Sequence, residues 1–270
     1  MQVISTFFNN EEYYMDNILH WYRTIWNCKK FIFFIGKHEL KETNFSTGGI
    51  NFFVREEEDI TYYEYKSNPY NTATQWSHFK HIFIENVVDK RIPSLWVDCD
   101  EFVYCKDVEN TLSKPEFRTH FYEYVPVIPF EFDSDSLWSV QPWYYREQSF
   151  NNNHNNRITH NNCKVFHLDK SRAGHMGKSN YCKNSNDYDD YDNICFHVAV
   201  QSKKYFFSNC QQWDVPINGK NVPYNKHRIQ TEIYDLNVSD EDIFNKYFIG
   251  CEFDTFNLNL YEKYIKNNNK

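Results

Sequence analysis

The sequence predicts an α/β fold: a mostly parallel central sheet flanked by helices, followed by an irregular C-terminal part. Two observations carry that expectation. Short, fully apolar runs recur through residues 1–100, and between them apolar side chains recur at helical spacing. The run Phe31 to Ile35 is continuously apolar and stops at Gly36, as a strand covered on both faces would.

The elements follow in order. Val3 to Phe8 reads as a first strand. Asn9 and Asn10 then offer N-cap side chains, with Glu11 and Glu12 in a first turn where the helix dipole favours acids. Met15, Ile18, Leu19, Tyr22, Ile25 and Trp26 mark one face of a helix. Phe31 to Ile35 is the second strand, and Ile60 to Tyr65 a third. Trp76, Phe79, Phe83 and Val87 mark a second long helix, after which Pro93 opens the buried strand Ser94-Leu95-Trp96-Val97. This order implies parallel strands joined by helical crossovers.

The second half is less regular. Val125 to Phe132 and Leu137 to Tyr145 read as strands, pushed toward a sheet edge by Pro126, Pro129 and Pro142. Residues 151–162, rich in asparagine and carrying His154 and His160, read as a loop. Asp187 to Asp192 forms an acidic, tyrosine-rich patch. Ser239-Asp240-Glu241-Asp242 is placed to cap a helix through Phe248, and a last helix is expected over Leu258 to Ile265.

Composition narrows the function. With 29 basic and 37 acidic residues the net charge is −8, which argues against a nucleic-acid or anionic-lipid partner. Only 7 glycines are present and no glycine-rich phosphate loop occurs, so a bound phosphate would have to be held by other means. No stretch approaches the ~18 consecutive apolar residues of a membrane span. The N-terminus has neither a basic region nor a small-residue cleavage site, so a cytoplasmic location is expected. The 8 cysteines form no C-x-x-C pair, and reduced thiols fit that location.

The sharpest signal is Trp96-Val97-Asp98-Cys99-Asp100-Glu101-Phe102, where a buried strand ends in three carboxylates. Ligands of open α/β sheets bind beyond the carboxyl ends of the strands. Asp98 and Asp100 alternate by two and can serve one hard cation, Mg²⁺ or Mn²⁺, with positions left for phosphate oxygens. The cation would then do what a glycine-rich loop does elsewhere.

Here the chain resembles family 2-like glycosyltransferases of the GT-A fold, which carry a W-x-x-x-D-x-D-E-F signature. Asn10-Glu11-Glu12 matches the N-E opening after the first strand, and His197 to Ser202 with Phe206 is similar to a late H-Y-x-x-K-S-x-x-x-F element. The chain departs from the family at Gln201, where lysine is usual, and at Trp143-Tyr144-Tyr145-Arg146, which replaces a W-x-x-F-G-S turn. The resemblance covers residues 2–213. It implies a transferase domain over 1–213 and a helical extension over 214–270 packed on it.

The resemblance also implies a hexosyltransferase-type activity. Its partners would be a nucleotide-sugar donor, with uridine diphosphate as the expected carrier, and a saccharide, glycan or other hydroxyl acceptor. Asp98, Asp100 and His197 would hold Mn²⁺ or Mg²⁺. Asn10, Asp98, Trp143, His175 and Lys178 would contact substrate, His175 and Lys178 lying in Gly174-His175-Met176-Gly177-Lys178. Such enzymes generally invert the anomeric centre and need a carboxylate base. Glu147, beside the aromatic run, and Asp190, in the acidic patch, are the candidates.

Two other readings compete. In a haloacid dehalogenase-type phosphatase Asp98 would be the nucleophile and Asp100 the acid/base, with Lys164 or Lys178 and Asp189–Asp190 completing the site. Against it, Glu101-Phe102 stands where that family has a small residue and Thr or Val, and its D-x-D sits on the first strand. The third reading is a non-catalytic sugar-binding module on a transferase scaffold.

Overall fold

A computed structural model gives the fold. It describes residues 1–8, 11–37, 39–66, 82–83, 85–105, 107–113, 116–125, 143–147, 161–165, 193–198, 214–217, 220–223 and 254–256. The chain divides into two compact units, Met1–Tyr122 with Glu147–His197, and Glu123–Arg146 with Val198–Lys270.

The first unit is built on a mixed six-stranded sheet, so the α/β character and the central parallel strands are present. β1 (Gln2–Phe8) lies between β2 (Phe31–Lys37) and β6 (Ser94–Asp98), parallel to both, and β2 lies parallel to β5 (Ile60–Lys66). The sheet order is β3-β4-β5-β2-β1-β6. Its outer strands β3 (Phe45–Thr47) and β4 (Ile50–Glu57) run antiparallel and fill the stretch between the second and third strands expected from sequence, to which no element was assigned. Gly48 and Gly49, both at positive φ (57° and 79°), make the two-residue hairpin turn between them.

Both faces of the central strands are buried, as the apolar runs require. On one face Phe7 meets Phe33 edge-on with ring centroids 5.0 Å apart. α1 (Met15–Ile25) lies against this face, with the Arg23 guanidinium 5.3 Å from the Phe31 ring centroid. On the other, Ile4, Ile32, Phe34, Phe52, Tyr65, Phe83, Val88 and Trp96 form one cluster. Phe34 stacks on Phe83 at 3.9 Å and lies nearly parallel to Trp96 at 5.9 Å. Phe83 belongs to the second helix expected from the sequence. Of that segment Ile82, Phe83, Glu85 and Asn86 are described and helical, whereas Val87, expected on the same helix face, lies in the turn that follows.

α1 shows the predicted periodicity but a different start. A 3₁₀ turn, Glu11–Tyr14, precedes it, and the capping position is Tyr14, whose side chain makes no capping bond. A tight turn of this kind is a common way to satisfy the first N–H groups without a side chain. Asn9 and Asn10 lie outside the described residues. At the other end Asn27 adopts φ 48°, a conformation asparagine tolerates, and the Cys28 N–H returns to the Tyr22 carbonyl at 3.0 Å.

The first unit also holds part of a second, antiparallel sheet. β7 (Glu101–Cys105) pairs with β11 (Asn193–His197), which lies beside β8 (Glu116–Val125), and β8 pairs with β10 (Asn161–Val165). A short helix, α2 (Val108–Leu112), follows β7 and is capped by the Asp107 carboxylate, which accepts the Asn110 N–H. Two sequence readings change here. Glu116–Val125 is a strand, whereas strand character was read only from Val125 onward. Asn161 and Asn162 belong to a strand, not a loop, because pairing with β8 overrides their low strand propensity.

In the second unit β12 (Asp214–Ile217) and β13 (Lys220–Pro223) form a hairpin, and β14 (Asp254–Phe256) pairs with residues 143–145 of β9 (Trp143–Glu147). The described residues of 214–270 are thus strands. The helices expected at 239–248 and 258–265 lie outside the described residues. Among the described residues no helix is long and apolar enough to cross a membrane.

Candidate functional site

The D-x-D motif occupies the turn between β6 and β7, at the carboxyl end of the parallel strands. Ser94 to Val97 are buried, and the strand ends at half-buried Asp98. Cys99 and Asp100 form the turn. The Glu101 side chain folds back across it, its Oε2 accepting the Asp98 N–H at 3.0 Å. Glu101 is 2% exposed, so the third carboxylate of the motif is built into the turn.

β7 is tied down from α1 by three side chains. The Tyr22 hydroxyl donates to the Glu101 carbonyl at 2.9 Å and accepts the Val103 N–H at 3.1 Å. The indole N–H groups of Trp21 and Trp26 both reach the Val103 carbonyl, each at 2.7 Å. Trp21 also meets Phe102 of β7 and Phe196 of β11 edge-on, at 5.8 and 6.0 Å. The helix that follows the first strand therefore fixes the strand that follows the motif.

His197 enters through strand pairing. It stands opposite Glu101 in the β11–β7 register, which brings it beside Asp100. Its Nε2 lies 3.1 Å from Asp100 Oδ2, with the two side chains 11% and 25% exposed. Asp98, for its part, is aligned with Thr6 of β1 and shares a sheet face with it. Thr6 is 3% exposed, and its hydroxyl has no hydrogen-bond partner among the described residues. At the neighbouring strand end Lys37 of β2 forms an ion pair with Glu12.

Of the three metal ligands expected from sequence, the structure brings Asp100 and His197 into contact and places Asp98 two residues before Asp100 on the same turn. Among the described residues no group of three or more His, Cys, Asp or Glu side chains stands ready-made around one point. The Asp100–His197 pair is in direct contact at hydrogen-bond distance, 3.1 Å, and its carboxylate and imidazole are donor types that a divalent cation can use.

Trp143 and Glu147 lie at the two ends of β9. Lys164, a residue of the phosphatase alternative, lies in β10. Their side chains are outside what is described. Asn10, His175, Lys178, Asp189 and Asp190 lie outside the described residues altogether. Sequence reading did not single out Glu101 as the brace of the turn, nor Tyr22, Thr6 or Lys37. Lys37 and Thr6 were detectable in principle, since each is a polar residue at the carboxyl end of a predicted strand.

Among known proteins, no family model, no curated protein and no solved structure matches the chain.

Proposed function

We propose that the chain is a metal-dependent glycosyltransferase of GT-A-like architecture. It would move a hexose from a nucleoside-diphosphate sugar, with uridine diphosphate as the expected carrier, to a saccharide or glycan acceptor in the cytoplasm. The observation that carries this reading is the position of Asp98 and Asp100. They leave the carboxyl end of a parallel strand on a braced turn, with His197 held against the second carboxylate.

Each residue has a role that follows from its chemistry. Asp100 and His197 present a carboxylate oxygen and an imidazole nitrogen side by side and hold the cation. When bound, Mn²⁺ or Mg²⁺ supplies positive charge to the oxygens of the departing diphosphate. Asp98 accepts hydrogen bonds from the sugar of the nucleoside or from water in the cation's shell. Lys178 and His175 neutralise or donate to phosphate oxygens, Asn10 contacts the nucleoside, and Trp143 offers an apolar face to a sugar ring. Glu147, with Asp190 as the alternative, takes the proton from the acceptor hydroxyl as its oxygen attacks the anomeric carbon opposite the diphosphate; the new glycosidic bond forms as the bond to the diphosphate breaks, so the configuration inverts.

The test is a panel of nucleotide sugars incubated with the protein and Mn²⁺ and monitored for released nucleoside diphosphate. At least one donor should turn over, more slowly without metal, and Asp100→Ala should abolish the turnover while the far-UV circular dichroism spectrum is kept. Undiminished turnover in Asp100→Ala would place the site elsewhere.

A further inference from the structure

We propose that Glu101 is the positioning residue of the Asp98–Asp100 site, fixing the geometry of the turn through hydrogen bonding and not through its charge. The proposal rests on the metal reading above and adds to it a residue that does not touch the cation. Three observations converge on Glu101. Its carboxylate is buried and accepts the Asp98 N–H at 3.0 Å, so it closes the turn from within. Its carbonyl accepts the Tyr22 hydroxyl at 2.9 Å, so its own backbone is anchored to α1. It is also the register partner of His197, so the residue that closes the turn lies directly across the ladder from the one that meets Asp100.

The arrangement separates reach from charge. An acceptor at the end of a two-methylene side chain spans the turn and meets the Asp98 N–H. Glutamine has the same reach and a carbonyl acceptor, so it preserves the brace while losing the charge. Aspartate keeps the charge but is one methylene shorter and falls short of the N–H. If Glu101 acted as a cation ligand or as a field on the site, the order of these two variants would be reversed.

The experiment measures Mn²⁺ affinity, by electron paramagnetic resonance of the free ion in the presence of nucleoside diphosphate, and amide hydrogen exchange over residues 96–101. Both are applied to wild type, Glu101→Gln and Glu101→Asp. Glu101→Gln should stay within about threefold of wild type, while Glu101→Asp should bind about tenfold or more weakly, the scale seen when outer-shell support of a metal site is lost. Exchange at Asp98 should quicken in the aspartate variant alone. Glu101→Met, which keeps the length but has no acceptor, should behave as Glu101→Asp does and serves if the aspartate variant does not fold. Loss in Glu101→Gln with retention in Glu101→Asp overturns the proposal, as does wild-type affinity and exchange in the aspartate and methionine variants. Wild-type protein that binds no Mn²⁺ overturns the metal reading itself, and this proposal with it.

Discussion

Nε2 of His197 lies 3.1 Å from Oδ2 of Asp100, joining the last residue of β11 to the turn that leaves β6. The contact follows from register: His197 faces Glu101, and Asp100 precedes Glu101 in the chain. With His197 buried and Asp100 largely covered, the attraction within the pair is offset by the desolvation of both groups. What it provides is placement, with an imidazole nitrogen and a carboxylate oxygen held side by side.

That balance gives the first prediction. His197→Ala removes a proposed ligand and should weaken Mn²⁺ binding by more than the roughly 10–100-fold seen when outer-shell support of a metal site is lost, while truncation of this buried side chain also lowers the urea midpoint. Asp100→Ala should weaken binding further. Metal titration followed by urea denaturation of the same samples separates the two effects. Unaltered Mn²⁺ affinity in both variants would leave the pair as a hydrogen bond with no metal role.

Thr6→Val addresses the buried hydroxyl beside Asp98. A buried hydroxyl without a partner costs about 1–3 kcal/mol, and Thr6 Oγ1 has none among the described residues. Valine keeps the shape and suits a strand. The variant should therefore be more stable than wild type by about 1 kcal/mol, read as a higher urea midpoint at unchanged slope. A lower midpoint would show that the hydroxyl has a partner in solution.

The parts of this fold legible in the sequence are those decided locally. Phe31 to Ile35 and Ser94 to Val97 are apolar throughout because both sheet faces are covered, and that pattern needs no knowledge of the partner strand. Asp98 and Asp100 were legible for the same reason, since a buried strand that ends in carboxylates marks its own carboxyl edge. The β3–β4 hairpin was missed because its strands are half-buried and carry Arg55, Glu56 and Glu57, although Gly48-Gly49 was a hairpin signal. The Asp100–His197 contact depends on β11 pairing with β7, and no local pattern encodes that pairing. Glu101 was hidden because sequence pattern alone does not show that a carboxylate beside Asp98 and Asp100 accepts the Asp98 N–H.

Tyr22 supplies the last prediction, which combines stability with pH. Its hydroxyl bridges the Glu101 carbonyl and the Val103 N–H inside the protein. Tyr22→Phe leaves both backbone groups without that partner and should cost about 2 kcal/mol at neutral pH. Burial, with Cys195, Glu101 and Cys28 adding negative potential nearby, pushes the phenol well above its ordinary value of 10.0. The folded state therefore holds this proton more tightly than the unfolded chain. The resulting stability is fully present below pH 10.0 and is lost as pH rises from there through the folded-state value. Phenylalanine has no proton to lose, so the stability gap between wild type and Tyr22→Phe should narrow on alkaline titration, by up to ~1.4 kcal/mol per pH unit. Cys28, also raised by burial from an ordinary 9.0, loses its contribution over a lower range and affects both proteins alike. Urea midpoints of the two proteins at matched pH values provide the comparison. A gap that stays constant across the alkaline range would mean that Tyr22 ionises in the folded protein as it does in the unfolded chain, and that its bridge between α1 and β7 is open to solvent.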